Sequence, residues 1–569
     1  MRIIVTLVAA GGVLAPVLGA QDPAPIRYVV RPVARDSLVE LAITLRVSGD
    51  PSGRTRVRLP ADRFGVRDMH RFVRGVEVGG GTASWAPGDS LVLIDHRSGA
   101  DLSVRYRVRF DSATAGFVAY GPSVGPKHFH FLGSQWMARV GASDAIRSFE
   151  IRVERGALPG PLAGSFGLEP GTHQISASQD ELDWSVIAGG AYREHRFACR
   201  GRPLAVLVRG AFAVTDDSLV AAARRIACEQ RDMFADHTQP FYAIVLTARN
   251  RLRAGASFLN AFACFARPDS DVRQLAALLA HEMTHAWIPR KLRVVPDADD
   301  PVPPVEFSWF HDIRYDWFHE GFTEYLSRVL LVRAGLAGAD WFAERLNDDI
   351  ARLAIHPYRA STAYELEDAA RAGRFTNFHQ RISYLRGSLL AFRWDAMLRR
   401  NATDSLDLVH AVRRLLAAAQ SSGGRLPRSE FERVLTRMGV PAAHDVARLA
   451  LGGGHIPVDS LGLGPEWQLE VRTVPAFAPG FDVVASTSAD TVLGVRPDGA
   501  AYAAGLRDGM AIVRHRNAWR WNDEWRPDEP LEIVVREDGR ERTIAFNPVH
   551  GNTPVPYFVR RADGSSGAR

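Results

Sequence analysis

The sequence predicts a multidomain α+β protein with an N-terminal antiparallel β domain, a central domain whose second half is helical, and a small C-terminal domain of strands and short helices. Three observations lead to this prediction. The chain has 569 residues, far more than one hydrophobic core supports. Its apolar residues alternate as in strands up to about residue 207 and recur at helical spacing from about residue 218. Strand patterning returns after Trp467, beyond the glycine run Gly452-Gly453-Gly454.

The composition is that of an ordinary globular protein, with 46% hydrophobic and 24% charged residues. The formal net charge is +6, and almost all of the positive residues are arginines scattered among acids. A positive balance without a basic block does not indicate nucleic acid binding. We therefore expect no nucleic acid partner.

Residues 1–20 have the features of a secretory signal peptide. Met1-Arg2 makes a positive start, an apolar run too short to span a bilayer follows, and the small residue Ala20 precedes Gln21. No other stretch is long and apolar enough to cross a membrane. We therefore expect an exported protein, periplasmic or extracellular, without a membrane span.

Residues 21–207 predict the N-terminal β domain, because Val39–Val47, Leu102–Phe110 and Phe149–Val153 alternate with period two between turn residues. This pattern indicates an antiparallel sandwich or a saddle-shaped sheet. His128 and His130 would point the same way on a strand. A second metal site there is the alternative to a purely structural pair.

Residues 208–455 predict the central domain, with a helix from Leu219 to Ile226, a strand from Phe241 to Leu246 and an H-E-x-x-H pattern from His281 to His285. Residues four apart share a helix face, so His281 and His285 can bind one ion. Glu282 lies close enough to reach a metal-bound water without being a ligand. Two nitrogen ligands, a base and an open position are what a zinc hydrolase requires.

A second amphipathic segment, from Asp316 through Val332, offers a third ligand in Glu320. His311 and His319 are alternative ligands or surface residues. Glu324 lies four residues after Glu320 and either accepts a hydrogen bond from the far nitrogen of a ligand histidine or lies on a solvated helix face. A set of two imidazoles and one carboxylate predicts one Zn²⁺ per chain.

The two ligand segments are separated by 34 residues. Together with the continuation Ala286 to Pro296 and the sequence Glu320-Gly321-Phe322-Thr323, they resemble the glycyl aminopeptidase family of gluzincin zinc metallopeptidases. The resemblance implies a thermolysin-like catalytic domain with Glu282 as general base and a peptide or protein substrate. It also implies that Arg253–Phe262 contains the edge strand beside which substrates lie. The segment Arg381–Leu390 resembles the tyrosine helix of the family, with Tyr384 as hydrogen-bond donor to the oxyanion.

The chain departs from this family in two places. No acid occurs from Arg253 to Ala266, where the family carries a glutamate that captures the amino end of the substrate. This difference leaves endopeptidase action open beside aminopeptidase action, as well as a pocket reorganised around another acid. Arg386 stands where relatives usually have lysine, as a structural cation or a substrate contact.

Residues 456–550 predict a linker and a PDZ-like domain, because Thr491–Met510 looks like the middle of a PDZ domain. Such domains bind a peptide C-terminus by strand addition. Gly480-Phe481 is the weak trace of a carboxylate-binding loop, so structural docking is the alternative role. Residues 551–569 predict a flexible tail.

Two smaller features leave alternatives open. Asp297, Asp299 and Asp300 lie in a proline-rich loop that either makes a surface connection or binds calcium.

The chain has three cysteines, Cys199, Cys228 and Cys264. Cys199 and Cys228 form a disulfide in an oxidising compartment or remain small buried thiols.

The function that we expect is that of an exported zinc-dependent peptidase, which hydrolyses peptide bonds by metal-activated water with a glutamate general base. It is aminopeptidase-like without the glutamate that binds the amino end. The alternative is an exported PDZ-type binding or quality-control protein with a structural or vestigial zinc site.

Overall fold

The computed structural model describes most of the chain outside its two ends. The predicted signal peptide, His311 and the last eight residues lie outside the described part. The described residues are 24–35, 37–60, 69–85, 89–111, 121–141, 145–249, 254–300, 313–372, 377–401, 406–516, 530–537 and 539–561.

The N-terminal domain consists of three packed sheets, in the orders β13-β11-β1-β2-β7-β4, β10-β3-β6-β5 and β12-β14-β9-β8. Alternating apolar residues of these strands build one core, which confirms a β-rich N-terminal domain. In this domain the predicted purely antiparallel pairing is wrong at one place, because β1 pairs in parallel with β11. Its elements are β1 Ile26–Arg35, β2 Leu38–Ser48, β3 Arg54–Arg58, β4 Val73–Gly79, β5 Thr82–Ser84, β6 Leu91–Asp95, β7 Asp101–Val108, β8 Ser123–Gly125, β9 His128–Leu132, β10 Arg139–Val140, β11 Arg147–Val153, β12 Leu162–Gly164, β13 Gly171–Ala177, the helix α1 Gln179–Leu182, β14 Val186–Gly190 and the 3₁₀ turns Met69–Phe72 and Gly133–Gln135.

The central domain begins with a five-stranded sheet in the order β15-β16-β17-β19-β18. The boundary predicted at residue 207 falls inside this sheet, because β16 pairs in parallel with β17. Period-two patterning runs through both sheets alike, so the sequence does not mark the change of domain. The strands are β15 Arg193–Cys199, β16 Arg202–Arg209, β17 Tyr242–Ala248, β18 Ala254–Phe258 and β19 Ala261–Ala266.

The two faces of this sheet have different partners. Small side chains such as Ala205, Ala243 and Ala263 cover one face and pack against the sheet that contains β14. Larger side chains such as Ile244 and Phe262 cover the other face and pack under the helices. Strand β18 lies at the edge, as predicted for the segment beside the cleft.

Helices form the rest of the central domain and share one core with the sheet. They are α2 Asp216–Phe234, α3 Val272–Thr284, α4 Thr323–Arg333, α5 Ala339–Ile355, α6 Ala363–Arg371, α7 Asn377–Asn401, α8 Leu408–Gln420, α9 Arg428–Thr436 and α10 Ala442–Asp445, with π-helical turns at Trp317–Phe322 and Val446–Leu451, 3₁₀ turns at Ile313–Tyr315 and Ser460–Leu463, and the paired short strands β20 Arg293–Val295 and β21 Arg425–Pro427.

A two-stranded ribbon joins the C-terminal part to this core. It pairs β22 Trp467–Phe477 with β26 Val549–Arg560. Asn347 of α5 donates to the Phe558 carbonyl at 3.0 Å and accepts from the Phe558 amide at 2.8 Å. The prediction of a flexible tail from residue 551 is therefore wrong up to Arg560, because β26 buries Val555 and Phe558 in the central core.

A small module lies between the two ribbon strands and has its own core. It contains the helices α11 Val483–Ala489 and α12 Ala500–Ala503 and the antiparallel sheet of β23 Ala511–Arg516, β24 Leu531–Glu537 and β25 Arg540–Phe546. Gly480-Phe481 leads into α11 rather than into a strand. The PDZ-like assignment therefore stays a prediction.

Cys199 of β15 and Cys228 of α2 form a disulfide with a Cα–Cα distance of 5.5 Å, and Cys264 is a buried free thiol. Of the two alternatives for the first pair, the structure has the disulfide. Among the described residues, no helix has the length and apolar character to cross a bilayer.

Candidate metal centre

Helix α3 carries the H-E-x-x-H residues into the cleft. Its first turn is fixed by a capping box in which the Gln274 amide donates to Asp271 at 2.8 Å and the Asp271 amide donates to Gln274. Leu275 and Leu279 are buried in the core. The helix is therefore held on its apolar side while its last turn presents polar residues to the cleft.

The two histidines present the same ring nitrogen to one point. His281 Nδ1 donates to Glu324 Oε2 at 3.0 Å, and His285 Nδ1 donates to the Ile288 carbonyl at 2.8 Å. With Nδ1 occupied in both rings, Nε2 is the nitrogen left for a metal.

Glu320 meets these two nitrogens from the π-helical turn before α4. Its Oε2 lies 3.3 Å from His281 Nε2 and 3.5 Å from His285 Nε2. One ligand atom from each of the three residues lies within 4.8 Å of the others. Two imidazoles and one carboxylate so arranged suit zinc with an open position.

His319, an alternative ligand by sequence, lies elsewhere. Its Nε2 accepts a hydrogen bond from the Val294 amide at 3.2 Å, and its side chain is fully buried. It therefore connects the π-helical turn to β20 and does not reach the three ligand atoms. His311 lies outside the described residues.

Glu324, expected either beside a ligand histidine or on a solvated helix face, contacts His281 and Arg328. One of its oxygens accepts from His281, and the other accepts from Arg328 Nη2 at 2.8 Å. Burial alone would raise the pKa of Glu324, but the positive charges of Arg328 and His281 hold this pKa well below its usual range.

Glu282 lies beside the edge strand. A methyl group added at Gly255 of β18 would be 2.4 Å from Cδ of Glu282, so a larger residue there would displace this carboxylate. Burial raises the pKa of Glu282 above its ordinary value, although His285 and His281 oppose the rise. A carboxylate with a raised pKa is a better proton acceptor near neutral pH.

Tyr384 of α7 also reaches the centre. Its ring lies 5.7 Å from the His281 ring between centroids, and the two planes differ by 13°. Burial raises the pKa of its phenol well above the ordinary value, and the negative charge of Glu320 raises it further. The hydroxyl is therefore neutral near pH 7 and can donate a hydrogen bond.

Arg386, two residues further on α7, faces away from the centre. Its guanidinium donates to the carbonyls of Arg359, Ser361 and Ala450, and its side chain is buried. Of the two roles that the sequence left open, these contacts are those of a structural cation.

Two other candidate metal sites receive no support. Asp297 accepts from Ser429 at 2.6 Å and pairs with Arg428, while Asp300 pairs with Arg314. His128 and His130 lie on β9 as predicted. Within the described part of the chain, the one grouping suited to a metal is that of His281, His285 and Glu320.

Several contacts at the centre are not evident from the sequence. Asp349 and Ser388 contact Arg328 from two other helices, and Gly321 packs directly on Gly387. The one local signal is the four-residue spacing of Glu324 and Arg328, which favours an ion pair on a helix. The other contacts join distant parts of the chain.

Several solved structures resemble this chain to different degrees. An aminopeptidase N family protein from Idiomarina loihiensis superposes with a TM-score of 0.68 at 15% identity, covering 94% of this chain and 98% of that one. This likeness shows a shared fold. An M1 zinc metallopeptidase from Deinococcus radiodurans has a TM-score of 0.46 at 16% identity, with coverages of 76% and 94%. LTA4 hydrolase from yeast, in complex with bestatin, has a TM-score of 0.48 at 13% identity, with coverages of 77% and 68%.

One part of the sequence matches the model of a known protein family. No curated protein matches the sequence. Residues 274–390 match the model of the M61 glycyl aminopeptidase family. This range contains His281, His285, Glu320 and Tyr384, the residues on which the predicted resemblance depends. The match confirms that resemblance and identifies the chain as a peptidase similar to the M61 glycyl aminopeptidases.

Proposed function

We propose that this chain is an exported zinc-dependent peptidase whose single zinc ion is held by His281, His285 and Glu320. The observation that carries the proposal is the convergence of three ligand atoms within 4.8 Å of one another. Both histidines use Nδ1 elsewhere, so their Nε2 atoms are directed to the same point as the carboxylate. This donor set matches a catalytic zinc site with an open position.

Hydrolysis then depends on two further residues. When bound, zinc supplies a water of lowered pKa and a positive charge for the developing oxyanion. Glu282 accepts the proton as general base and returns it to the leaving amine. Tyr384 donates a hydrogen bond to the oxyanion from its neutral phenol. The contact of Gly255 with Glu282 supports this assignment, because it brings the edge strand and the base to the same side of the cleft.

The alternative, a binding or quality-control protein with a structural zinc, has less support. Structural zinc is enclosed by four protein ligands. Three ligand groups converge here among the residues that the structure describes. A three-ligand site leaves a position for water, as hydrolysis requires.

For the substrate, we propose a peptide in extended form beside β18, cleaved without an acidic contact to its amino end. The support is that no acid occurs from Arg253 to Ala266.

For the C-terminal module, we propose a docking role. Its core includes contacts with Ile355 and Tyr358 of the central domain, and the segment after Gly480-Phe481 is helical.

Export is supported by the disulfide between Cys199 and Cys228, because disulfides persist in oxidising compartments. The apolar start of residues 1–20 is the second support, on the sequence alone.

A peptide library tests the proposal directly. Each peptide is offered with a free and with an acetylated amino end, to the purified protein with and without a zinc chelator. We expect hydrolysis that the chelator abolishes and zinc restores. Equal cleavage of both forms would support cleavage without an acidic contact to the amino end. Strict dependence on a free amine would support aminopeptidase action. No cleavage of any peptide by the zinc-loaded protein would overturn the proposal.

A further inference from the structure

Glu324 accepts a hydrogen bond from His281 and is itself contacted by a buried group of polar side chains. Arg328 donates one hydrogen bond to Glu324 at 2.8 Å and two to the carboxylate of Asp349, at 2.6 and 3.1 Å. Ser388 Oγ donates to Asp349 Oδ2 at 2.8 Å. The side chains of Arg328 and Asp349 are 7% and 3% exposed.

We propose that Arg328, Asp349 and Ser388 are positioning residues for the metal centre, which act through Glu324 to fix the orientation of His281. The three residues come from α4, α5 and α7, so the group joins three helices behind one ligand. This inference rests on the proposed zinc site, and its experiment separates the two.

The geometry of Glu324 supports this role. Its Oε2 is occupied by His281 and its Oε1 by Arg328, so the carboxylate cannot turn without losing one of these contacts. The planar guanidinium holds two oxygens of Asp349 at the same time, which fixes its own plane as well. A fixed Glu324 directs Nε2 of His281 to the metal and increases the basicity of the ring.

The same contacts would be weak evidence for stability alone. Desolvation of buried charges offsets much of the attraction between them, so such pairs often contribute little net free energy of folding. A positioning role makes a different prediction, which is a loss of zinc affinity larger than that of an equally destabilising change elsewhere in the domain.

The test is the variant Asp349→Asn in the full chain, with zinc affinity measured by competition with a chelator of known affinity. The amide keeps the size of the carboxylate but loses its charge, and we expect zinc to bind 10- to 100-fold more weakly. Glu324→Gln should weaken binding by at least as much. The double variant should be no weaker than Glu324→Gln alone, because Asp349 acts through Glu324.

Asp445→Asn is the matched control. Asp445 is a fully buried carboxylate of the same domain that accepts from Arg393 and Trp394, both at 3.0 Å. We expect this change to lower stability in urea and leave zinc affinity within about twofold of the wild type.

Two results would each contradict a different proposal. If the wild type binds no zinc, the proposed function fails. If the wild type binds one zinc ion and Asp349→Asn binds it equally well, or if the losses of the double variant simply add, the positioning role of Asp349 fails while the zinc site stands.

Discussion

Gly321 and Gly387 touch backbone to backbone beside the metal centre. A Cβ atom on Gly321 would lie 2.4 Å from Cα of Gly387, and a Cβ atom on Gly387 would lie 1.7 Å from the Trp317 carbonyl oxygen. Gly321 follows Glu320, and Gly387 lies about one helical turn after Tyr384. The contact therefore sets the distance between Glu320, the proposed third ligand, and the phenol of Tyr384.

Gly387→Ala should disturb this distance. Because the obstacle is backbone and not a flexible side chain, α7 must move away from the π-helical turn. We expect a loss of about 1–3 kcal/mol in the free energy of unfolding. The fall in kcat should exceed that of a variant with equal destabilisation elsewhere. Gly338→Ala is the control, since nothing lies within 4 Å of its added methyl group. Wild-type kcat in Gly387→Ala would show that the close contact is not needed for catalysis.

Tyr384→Phe removes the hydroxyl and keeps the ring beside His281. The lost hydrogen bond is one that strengthens in the transition state, so we expect kcat to fall by about 10²- to 10³-fold with little change in KM. Zinc content, measured by elemental analysis, should remain at the wild-type value. An unchanged kcat would assign the tyrosine a packing role only.

Glu282→Gln keeps the shape of the side chain and removes the base. We expect the variant to retain zinc and to lose hydrolysis by several orders of magnitude, because no proton acceptor remains beside the attacking water. His281→Ala is the contrasting variant, which should lose zinc itself. Near-normal turnover in Glu282→Gln would rule out the general-base role.

Local periodicity explains why much of the centre was predictable. His281 and His285 share a face because α3 is a regular helix, and the four-residue spacing of Glu320 and Glu324 survives the π-helical turn that the sequence did not predict. The N-terminal β domain was predictable for the same reason, since period-two patterning is a local property.

Contacts between distant residues were not predictable. A carboxylate on an amphipathic helix is usually exposed to solvent. Asp349 is instead buried, because it pairs with Arg328 and Ser388. Residues 551–560 read as a tail because their partner strand lies more than 70 residues earlier. Such pairings carry no signal within a short window of sequence.

Acid should lower the free energy of unfolding through two buried histidines of β9. Burial, together with the nearby positive charges of Arg209 and Arg249, lowers the pKa of both His128 and His130 to about 4. The unfolded chain binds protons at these sites from about pH 6.5 downwards, whereas the folded chain resists until about pH 4. Stability is therefore full above pH 6.5 and falls as the pH drops, by about 3 kcal/mol for His130 at pH 4.

Urea unfolding of the wild type and of His130→Phe, at pH 8 and at pH 5, measures this effect. The acid sensitivity of the proposed metal ligands is the same in both proteins, so it cancels when their free energies of unfolding are subtracted. We expect the wild type to lose more stability than the variant on going to pH 5. Equal losses in both proteins would contradict a depressed pKa at His130.

The last prediction concerns the disulfide, which connects β15 to α2 across 29 residues of chain. Closing a loop of this length restricts the unfolded chain, so Cys228→Ser should lower the free energy of unfolding by about 3 to 4 kcal/mol. A reductant should lower the urea midpoint of the wild type towards that of the variant and leave the variant unchanged. Cys264→Ser, which alters a buried free thiol, is the control and should keep its response to reductant. If the wild type has the same midpoint with and without reductant and shows three reactive thiols when unfolded, the disulfide is absent and its support for export is lost.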